Sequence, residues 1–347
     1  MKKITVWFCV LVLCIVNVTF AGGSKEPQTA SKADDSFKAL YLVNGNLGDK
    51  GFYDSAASGF YTLRDEDKAT IKIVEMGRNE ASYEGFFLDA SEQDWNVIVS
   101  GTWSVKELAE SVAKQFPDKN YIFFDGVSDV PNLMGIAYKS NETAFMAGSL
   151  AALMLDSGDA KIDASKRILG FIGSMDTPNI NDFLIGYIDG IQYIDPSIKV
   201  LTSYVGSFED VSKCMEMTTQ LYNQGAQIVY APASQSILGA VTASSKSDKY
   251  LIACDTDIWT AMEGTDANAV RNVLSSSLKK VGESLVVAMR GLQDGTMSTK
   301  ENYTLGLKSG SVGLADNANY QKLVPANIRT KLGNDFQGCR GWQDCRT

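Results

Sequence analysis

The fold follows from one stretch, KALYLVNGNLGDKGFYDSAASGFYTLRDEDKATIKIVEM (38–76). It opens with an apolar run at 38–45, continues through a glycine-rich polar loop into a helix-period segment at 51–65, and returns to an apolar run at 69–76. A short, continuous apolar run next to a helical pattern is typical of a strand that is buried on both faces. The stretch therefore predicts a β–loop–α–β unit with parallel strands.

The same alternation continues along the chain and then begins again near residue 167. Helical patterns separate apolar runs in both halves. Strands are predicted at 38–45, 69–76, 96–102, 120–127 and 133–139 in the first half, and at 167–175, 199–206, 227–234, 250–257 and 269–277 in the second. Two such blocks predict an α/β protein with two doubly wound parallel-sheet lobes. A ligand would bind in the cleft between them, at the carboxyl ends of the strands.

The composition excludes several classes of function. The chain has 347 residues, 45% of them hydrophobic, and it contains no histidine. Ser-His-Asp hydrolysis and HExxH zinc chemistry are therefore impossible. Lys and Arg number 32 against 41 Asp and Glu, a net charge of −9, which argues against a nucleic acid polymer as a partner.

The first residues have the three-part pattern of an export signal. A basic start at 1–3 precedes an apolar run at 4–20 and a small-residue junction, so we expect a signal peptide at 1–21. A single membrane anchor is the alternative, since the run is almost long enough to span a bilayer. Lipid attachment at Cys14 is not favoured, because the bulky Leu13 precedes it. A flexible linker is expected at 22–36.

Four cysteines follow the signal. Cys214 and Cys254 lie in apolar-periodic segments and are expected to be buried thiols. Cys339 and Cys345 lie in a polar tail at 336–347, where they could form a short disulfide or remain free.

Motifs that mark enzymes are absent. The chain contains no P-loop sequence, no GxGxxG after the first strand and no GxSxG. We therefore expect no enzyme activity, no cofactor and no metal. Polar residues after the strands can also be explained as helix caps, and we expect this role for Asp176 and Asp210.

Several segments occur in the order and spacing of one known family. They are GDKGFYDSAASGF (48–60), FFDGVSDVPNLMGIAYKSNETAFMAGSLAALML (123–155), GFIGSMDTPNINDFLIGYIDGI (170–191), YVGSFEDVSKCMEMTTQLYNQGAQIVY (204–230), and ACDTD (253–257) followed by SSSLKKVGESL (275–285). Over about residues 38–330 the chain resembles the basic membrane protein family of exported substrate-binding proteins. The resemblance implies a hinged, type I periplasmic-binding fold that serves an ABC transporter and binds a nucleoside.

The resemblance also implies a binding site. Aromatic rings would stack on the base, while carboxylates and a lysine would hold its polar edge and the ribose. The matching positions, with two residues added from their place at strand ends (Trp103 and Asp125), are Asp49, Phe52, Trp103, Asp125, Phe208, Asp255 and Lys279. Tyr53 stands where the family usually has Asn, and the loop 231–236 replaces a glycine-rich one.

From this resemblance we expect one lobe at 37–139 plus 256–290 and a second at 140–255 plus 291–335. The expected partners are a nucleoside and ABC permease subunits, and the protein is expected to be a monomer. It would be periplasmic or attached by its N-terminus to the outer side of the cytoplasmic membrane.

Two alternatives remain at this point. Tyr53 and the altered loop 231–236 could indicate a sugar or another small polar metabolite as the ligand. Asp49, Asp125 and Asp255 could instead supply the carboxylate pair of an exported glycoside hydrolase.

Overall fold

The computed structural model describes residues 36–337. The predicted signal peptide, the linker up to residue 35, and Cys339 and Cys345 lie outside this range. The strands are β1 (Lys38–Val43), β2 (Thr70–Glu75), β3 (Val97–Gly101), β4 (Tyr121–Phe124), β5 (Leu133–Tyr138), β6 (Ile168–Gly173), β7 (Lys199–Tyr204), β8 (Ile228–Tyr230), β9 (Tyr250–Asp255), β10 (Val273–Lys279), β11 (Asn302–Leu305) and β12 (Val312–Leu314). The helices are α1 (Phe52–Asp67), α2 (Tyr83–Glu92), α3 (Lys106–Gln115), α4 (Ser140–Leu155), α5 (Pro178–Ile194), α6 (Val211–Asn223), α7 (Ile237–Ser247), α8 (Ile258–Val270), α9 (Val281–Asp294), α10 (Ala318–Leu323) and α11 (Ala326–Gln337).

The strands form two sheets of the same topology. The first has the order β2-β1-β3-β4-β5-β11 and is parallel throughout. The second has the order β7-β6-β8-β9-β10-β12, and only its edge strand β12 is antiparallel. This confirms the predicted α/β fold with two doubly wound lobes, and each sheet has its switch point between its second and third strands.

Helices cover both faces of the first sheet. Alternate residues of β1 point to opposite sides: Tyr41 and Val43 pack with α1 and α9, whereas Leu40 and Leu42 pack with α2 and α3. Because neither face meets water, the strand is apolar throughout, which explains the continuous pattern in the sequence.

Helix α9 belongs to the first lobe because it packs closely on α1. A Cβ atom added to Gly59 would lie 2.5 Å from the carbonyl oxygen of Gly282, so the two backbones touch where these glycines meet. Small residues at this crossing allow the approach.

The expected lobe boundaries are wrong in two places. Residues 256–279 were assigned to the first lobe, but β10 pairs with β9 in the second sheet. The prediction also places 291–335 in the second lobe, but β11 pairs with β5 in the first sheet. The later part of that range is predicted correctly, because β12 pairs with β10 in the second sheet. The apolar pattern of a strand shows that it is buried, but it does not show which sheet it joins.

The chain therefore crosses between the lobes three times, after Tyr138, after Lys279 and between β11 and β12. Hydrogen bonds connect the crossing segments: Lys139 N donates to Leu305 O (2.8 Å) and Lys280 N to Ser311 O (2.9 Å). The buried Glu142 carboxylate accepts from Leu307 N at 2.7 Å.

Three further expectations can be compared directly. Asp210 caps α6 by accepting from Lys213 N at 2.9 Å, and Cys214 and Cys254 are buried free thiols, both as predicted. The expectation for Asp176 is wrong: Thr177 is the residue before α5, and Asp176 Oδ1 accepts from the side-chain amide of Asn181 at 2.9 Å. Helix α8 was not predicted, because it buries only Ile258 and Val270 and so lacks an apolar stripe.

Candidate functional site

A cavity of about 410 Å³ lies between the lobes, at the carboxyl ends of strands from both sheets. Loops after β1, β2, β3 and β4 form one wall, and the ends of β9 and β10 with loops after β6, β7 and β8 form the other. Both switch points open into this space, which is where doubly wound sheets bind ligands.

The structure brings all seven predicted site residues to this cavity. Asp49, Phe52, Trp103 and Asp125 come from the first lobe, and Phe208, Asp255 and Lys279 come from the second. Residues separated by more than two hundred positions in the chain therefore surround one volume.

A buried ion pair in the cavity joins the two lobes. Lys279 Nζ donates to Asp125 Oδ1 at 2.8 Å, with side chains only 5% and 12% exposed. Burial alone disfavours the charged ammonium, but the carboxylates of Asp125 and Asp255 outweigh it and raise the pKa of Lys279. The lysine is therefore a fixed positive charge at neutral pH.

Asp255 has the opposite balance. Burial is the main cause that raises the pKa of its carboxyl group, and the charge of Lys279 counteracts it. The nearby carboxylates of Asp125 and Asp49 raise this pKa further. Asp255 is thus a carboxyl group whose charge depends on the lysine beside it.

Aromatic rings surround the lysine. Its Nζ atom lies 5.3 Å from the centre of the Phe52 ring, 5.2 Å from Phe183 and 5.7 Å from Tyr138. These are cation–π distances, and they further restrict the ammonium position. Phe183, on α5, lines the cavity but was not predicted as a site residue.

Asp49 also has a structural role that was not predicted. Its Oδ1 accepts from Gly51 N (2.9 Å) and Asp54 N (3.1 Å), and its Oδ2 from Tyr53 N (2.9 Å). Burial raises the pKa of its carboxyl group, while these three N–H groups oppose the rise. Asp49 therefore caps the start of α1 and, in doing so, orients Phe52 and Tyr53.

The aromatic residues differ in how firmly they are held. Phe52 packs at 5.3 Å from the Phe124 ring and 5.8 Å from the Tyr53 ring, measured between ring centres. Phe208 is half-buried on the opposite lobe. Trp103 is 53% exposed, at the rim of the cavity.

Tyr53 and Asn44 form a polar wall on the first lobe. The Tyr53 hydroxyl donates to the backbone oxygen of Asn44 at 3.1 Å. The Asn44 amide donates to Thr102 Oγ1 at 2.7 Å and to Ser104 Oγ at 3.1 Å. Both residues line the cavity, and Asn44 was not predicted although it directly follows β1.

Other lining residues were also missed. Each follows a strand or begins a helix at the cleft, which is the signal that could have identified it; they are Arg78, Glu80, Tyr83, Asn179, Ile180, Ser207, Glu209, Pro232, Ser234 and Gln235. The last three belong to the loop 231–236 that departs from the family pattern.

Strained backbone concentrates at the cavity. Thr102, Asp125, Ser234 and Asp255 all have positive φ, at 75°, 67°, 47° and 68°, and all line the cavity. For a β-branched residue such as Thr102 this conformation is a clear outlier. Strain of this kind persists where surrounding contacts impose it, commonly at binding sites.

Solved structures share this architecture. A solute-binding protein of an ABC transporter system from Aeropyrum pernix K1 matches with a TM-score of 0.72 at 23% identity, covering 89% of this chain and 84% of that one. A second, from Conexibacter woesei, matches with a TM-score of 0.68 at 18% identity, covering 86% and 94%. Fold and cleft define the chain as a two-lobed α/β protein with the type I periplasmic-binding fold.

The family is established by a match over nearly the whole described chain. The family model described as "ABC transporter substrate-binding protein PnrA-like" (Bmp) matches residues 37–334, so the chain belongs to this family. The resemblance in the sequence segments is thereby confirmed. Proteins of this family are substrate-binding components of ABC transporters and act outside the cytoplasm. In the described residues, no helix combines the length and apolarity needed to cross a membrane.

Two curated relatives cover most of the chain. Basic membrane protein A2 of Borrelia garinii subsp. bavariensis is 28% identical, over 86% of this chain and 84% of the relative. The ABC transporter nucleoside-binding protein BmpA of Lactococcus lactis subsp. cremoris is 27% identical, over 92% of this chain and 93% of the relative.

Proposed function

We propose that this protein binds a nucleoside, with a purine base preferred, in the cavity between its lobes and delivers it to an ABC permease. The observation that carries the proposal is the composition of the cavity: aromatic side chains from both lobes surround an ion pair, Lys279–Asp125, that joins the lobes. Its volume of about 410 Å³ is in the range of small-molecule sites.

The residues have distinct roles in this proposal. Phe52 and Phe208, from opposite lobes, stack on the two faces of the base, and Trp103 extends this wall at the rim. Stacking is worth about 1–3 kcal/mol per base. Asp125 and Asp255 accept hydrogen bonds from the ribose hydroxyls, which are strong because the acceptors are charged.

Lys279 and Asp49 support that arrangement. Lys279 donates to Asp125, opposes the rise in the pKa of Asp255 that burial causes, and can donate to a ribose or base oxygen. Asp49 retains acceptor capacity on Oδ2, because this oxygen accepts from Tyr53 N and a carboxylate oxygen can accept more than one hydrogen bond. None of these roles makes or breaks a covalent bond, so the protein binds its ligand without turnover.

Export is part of the same proposal. The N-terminal signal would carry the protein across the cytoplasmic membrane, where it acts as a monomer in the periplasm or attached to the membrane surface. Mass spectrometry of the N-terminus of the mature protein would test this, because cleavage after Ala21 gives a defined new end.

Calorimetry with the purified protein tests the ligand. The panel is guanosine, inosine, adenosine, cytidine, the free bases, ribose and a hexose. The proposal expects nucleosides to bind and ribose alone to bind far more weakly. Binding of ribose or a hexose without any nucleoside would instead support a sugar receptor, and release of free base on prolonged incubation would support a hydrolase.

A further inference from the structure

An ion pair bridges the two lobes at the mouth of the cavity. Arg78, in the loop after β2, places Nη1 at 2.7 Å from Oε2 of Glu209, in the loop after β7. Both residues line the cavity, yet their side chains are 63% and 37% exposed, so they lie on its solvent side. The pair differs in this respect from the buried Lys279–Asp125 pair.

The sheet topology places this pair far from the crossing segments. The chain crosses between the lobes beside β5 and β11 in one sheet and beside β10 and β12 in the other. Strands β2 and β7 are the edge strands at the opposite ends. Five inter-strand spacings of about 4.8 Å separate the two ends of each sheet, so the pair lies roughly 24 Å from the crossing edge.

Contacts at that distance from the crossing segments lengthen most when the lobes open. A rotation of about 20° at the crossing segments would move the loops after β2 and β7 apart by roughly 8 Å, which takes the charges to about one Debye length. Lys279 ends β10 directly before a crossing, so the same rotation would separate it less from Asp125.

We propose that Arg78 and Glu209 form a latch that holds the lobes closed over an occupied cavity and so sets the rate at which the ligand leaves. An interaction that forms only in the closed state lowers the free energy of that state, and so shifts the equilibrium between open and closed lobes by the whole free energy of the interaction. Because exposed pairs are weak, the latch changes the dissociation rate by about two- to fivefold. The kinetic test rests on the proposed function, since its ligand is a nucleoside.

Stopped-flow dissociation of guanosine tests the latch in the full-length protein. Glu209→Gln and Arg78→Gln should each raise the dissociation rate about two- to fivefold, and the difference from wild type should shrink in 1 M salt. The double variant should dissociate no faster than either single one, since one interaction is lost in all three. Additive effects, or unchanged dissociation in both single variants, would overturn the proposal.

Asp94→Asn is the matched control. It removes a pair of the same length, Lys38 Nζ–Asp94 Oδ2 at 2.7 Å, whose members both belong to the first lobe. This variant should dissociate at the wild-type rate. A change confined to the association rate in the latch variants would indicate electrostatic steering by rim charges, and that result also contradicts a latch.

A measurement without ligand separates failure of the latch from failure of the proposed function. Nitroxide labels on Glu84→Cys in α2 and Glu216→Cys in α6, with both tail cysteines replaced by serine, report the distance between the lobes. Glu209→Gln should reduce the short-distance population, and exchanging the charges in Arg78→Glu/Glu209→Arg should restore it. Identical distributions in wild type and Glu209→Gln would overturn the latch, whichever ligand the protein binds.

Discussion

Lys279 Nζ lies 2.8 Å from Asp125 Oδ1, and the two residues belong to different lobes. The contact therefore depends on the relative position of the two lobes as well as on each fold. Lys279 also acts on Asp255, where its charge opposes the rise in pKa that burial causes. The Lys279 side chain thus links the charges of the site to the closing of the two lobes.

Replacing Lys279 with Met should destabilise the protein by about 3–5 kcal/mol at neutral pH, because buried carboxylates lose their partner. The penalty should shrink as the pH falls. The pKa of Asp255 is already raised in the wild type, and removal of the Lys279 charge raises it further. At pH values between this raised pKa and the pKa of an aspartate in the unfolded chain, the folded variant binds more protons than the unfolded variant. Its stability relative to wild type therefore increases toward acid.

Urea unfolding between pH 4 and 8 measures this difference. Lys280→Met is the control, because the neighbouring lysine is 37% exposed and pairs with Glu283 at 3.4 Å, so its loss should cost less than about 1 kcal/mol. A pH-independent penalty for Lys279→Met would contradict the explanation.

Phe208→Ala should weaken nucleoside binding by about 5- to 150-fold, because the base loses the stacking contact on one of its faces. Phe208 is half-buried on the second lobe, so truncation leaves the core unaffected and thermal stability should change little. Calorimetry with guanosine measures the loss. Tyr61→Ala, at an exposed position on α1 away from the cavity, should bind as wild type. Equal affinities of the Phe208→Ala and Tyr61→Ala variants would show that Phe208 does not contact the ligand.

A 5′-phosphate on the nucleoside should reduce affinity at least tenfold. Five carboxylate residues line the cavity, and its two cations, Arg78 and Lys279, are each already paired with one of them. Charge repulsion is screened by salt, so the difference should narrow between 0.05 and 0.5 M salt. The neutral 5′-O-methyl nucleoside controls for size. Tighter binding of the nucleotide than of the nucleoside would refute this electrostatic account.

Gly306→Ala should destabilise the protein by about 1–3 kcal/mol, because the site has no room for a methyl group. Its Cβ would lie 2.4 Å from Glu142 Oε2 and 2.9 Å from Lys139 Cδ, where two crossing segments meet. Gly313→Ala, whose Cβ would have no neighbour within 4 Å, is the control. Thermal unfolding compares the melting temperatures of the two variants. Equal melting temperatures would contradict the prediction, since they would mean that the crossing segments shift to make room for the methyl group.

The sequence alone determined the class of fold and the positions from which the site is built. Continuous apolar runs such as 38–43 are a direct consequence of burial on both faces, so α/β alternation could be predicted locally. Trp103 and Asp125 were predicted from their place after a strand, and the other five site residues from the family resemblance; all seven line one cavity. The capping role of Asp210 and the burial of Cys214 and Cys254 could likewise be predicted from the neighbouring residues in the sequence.

The tertiary structure decided what depends on distant segments. Apolar strands pair equally well in either sheet, so only the fold assigns β10 to the second lobe and β11 to the first. Asp49 combines a helix cap with a place in the cavity because α1 begins at the cleft. Arg78 and Glu209 are ordinary surface residues in the sequence; they meet because both sheets have the same strand order, which brings their outermost loops together across the cleft.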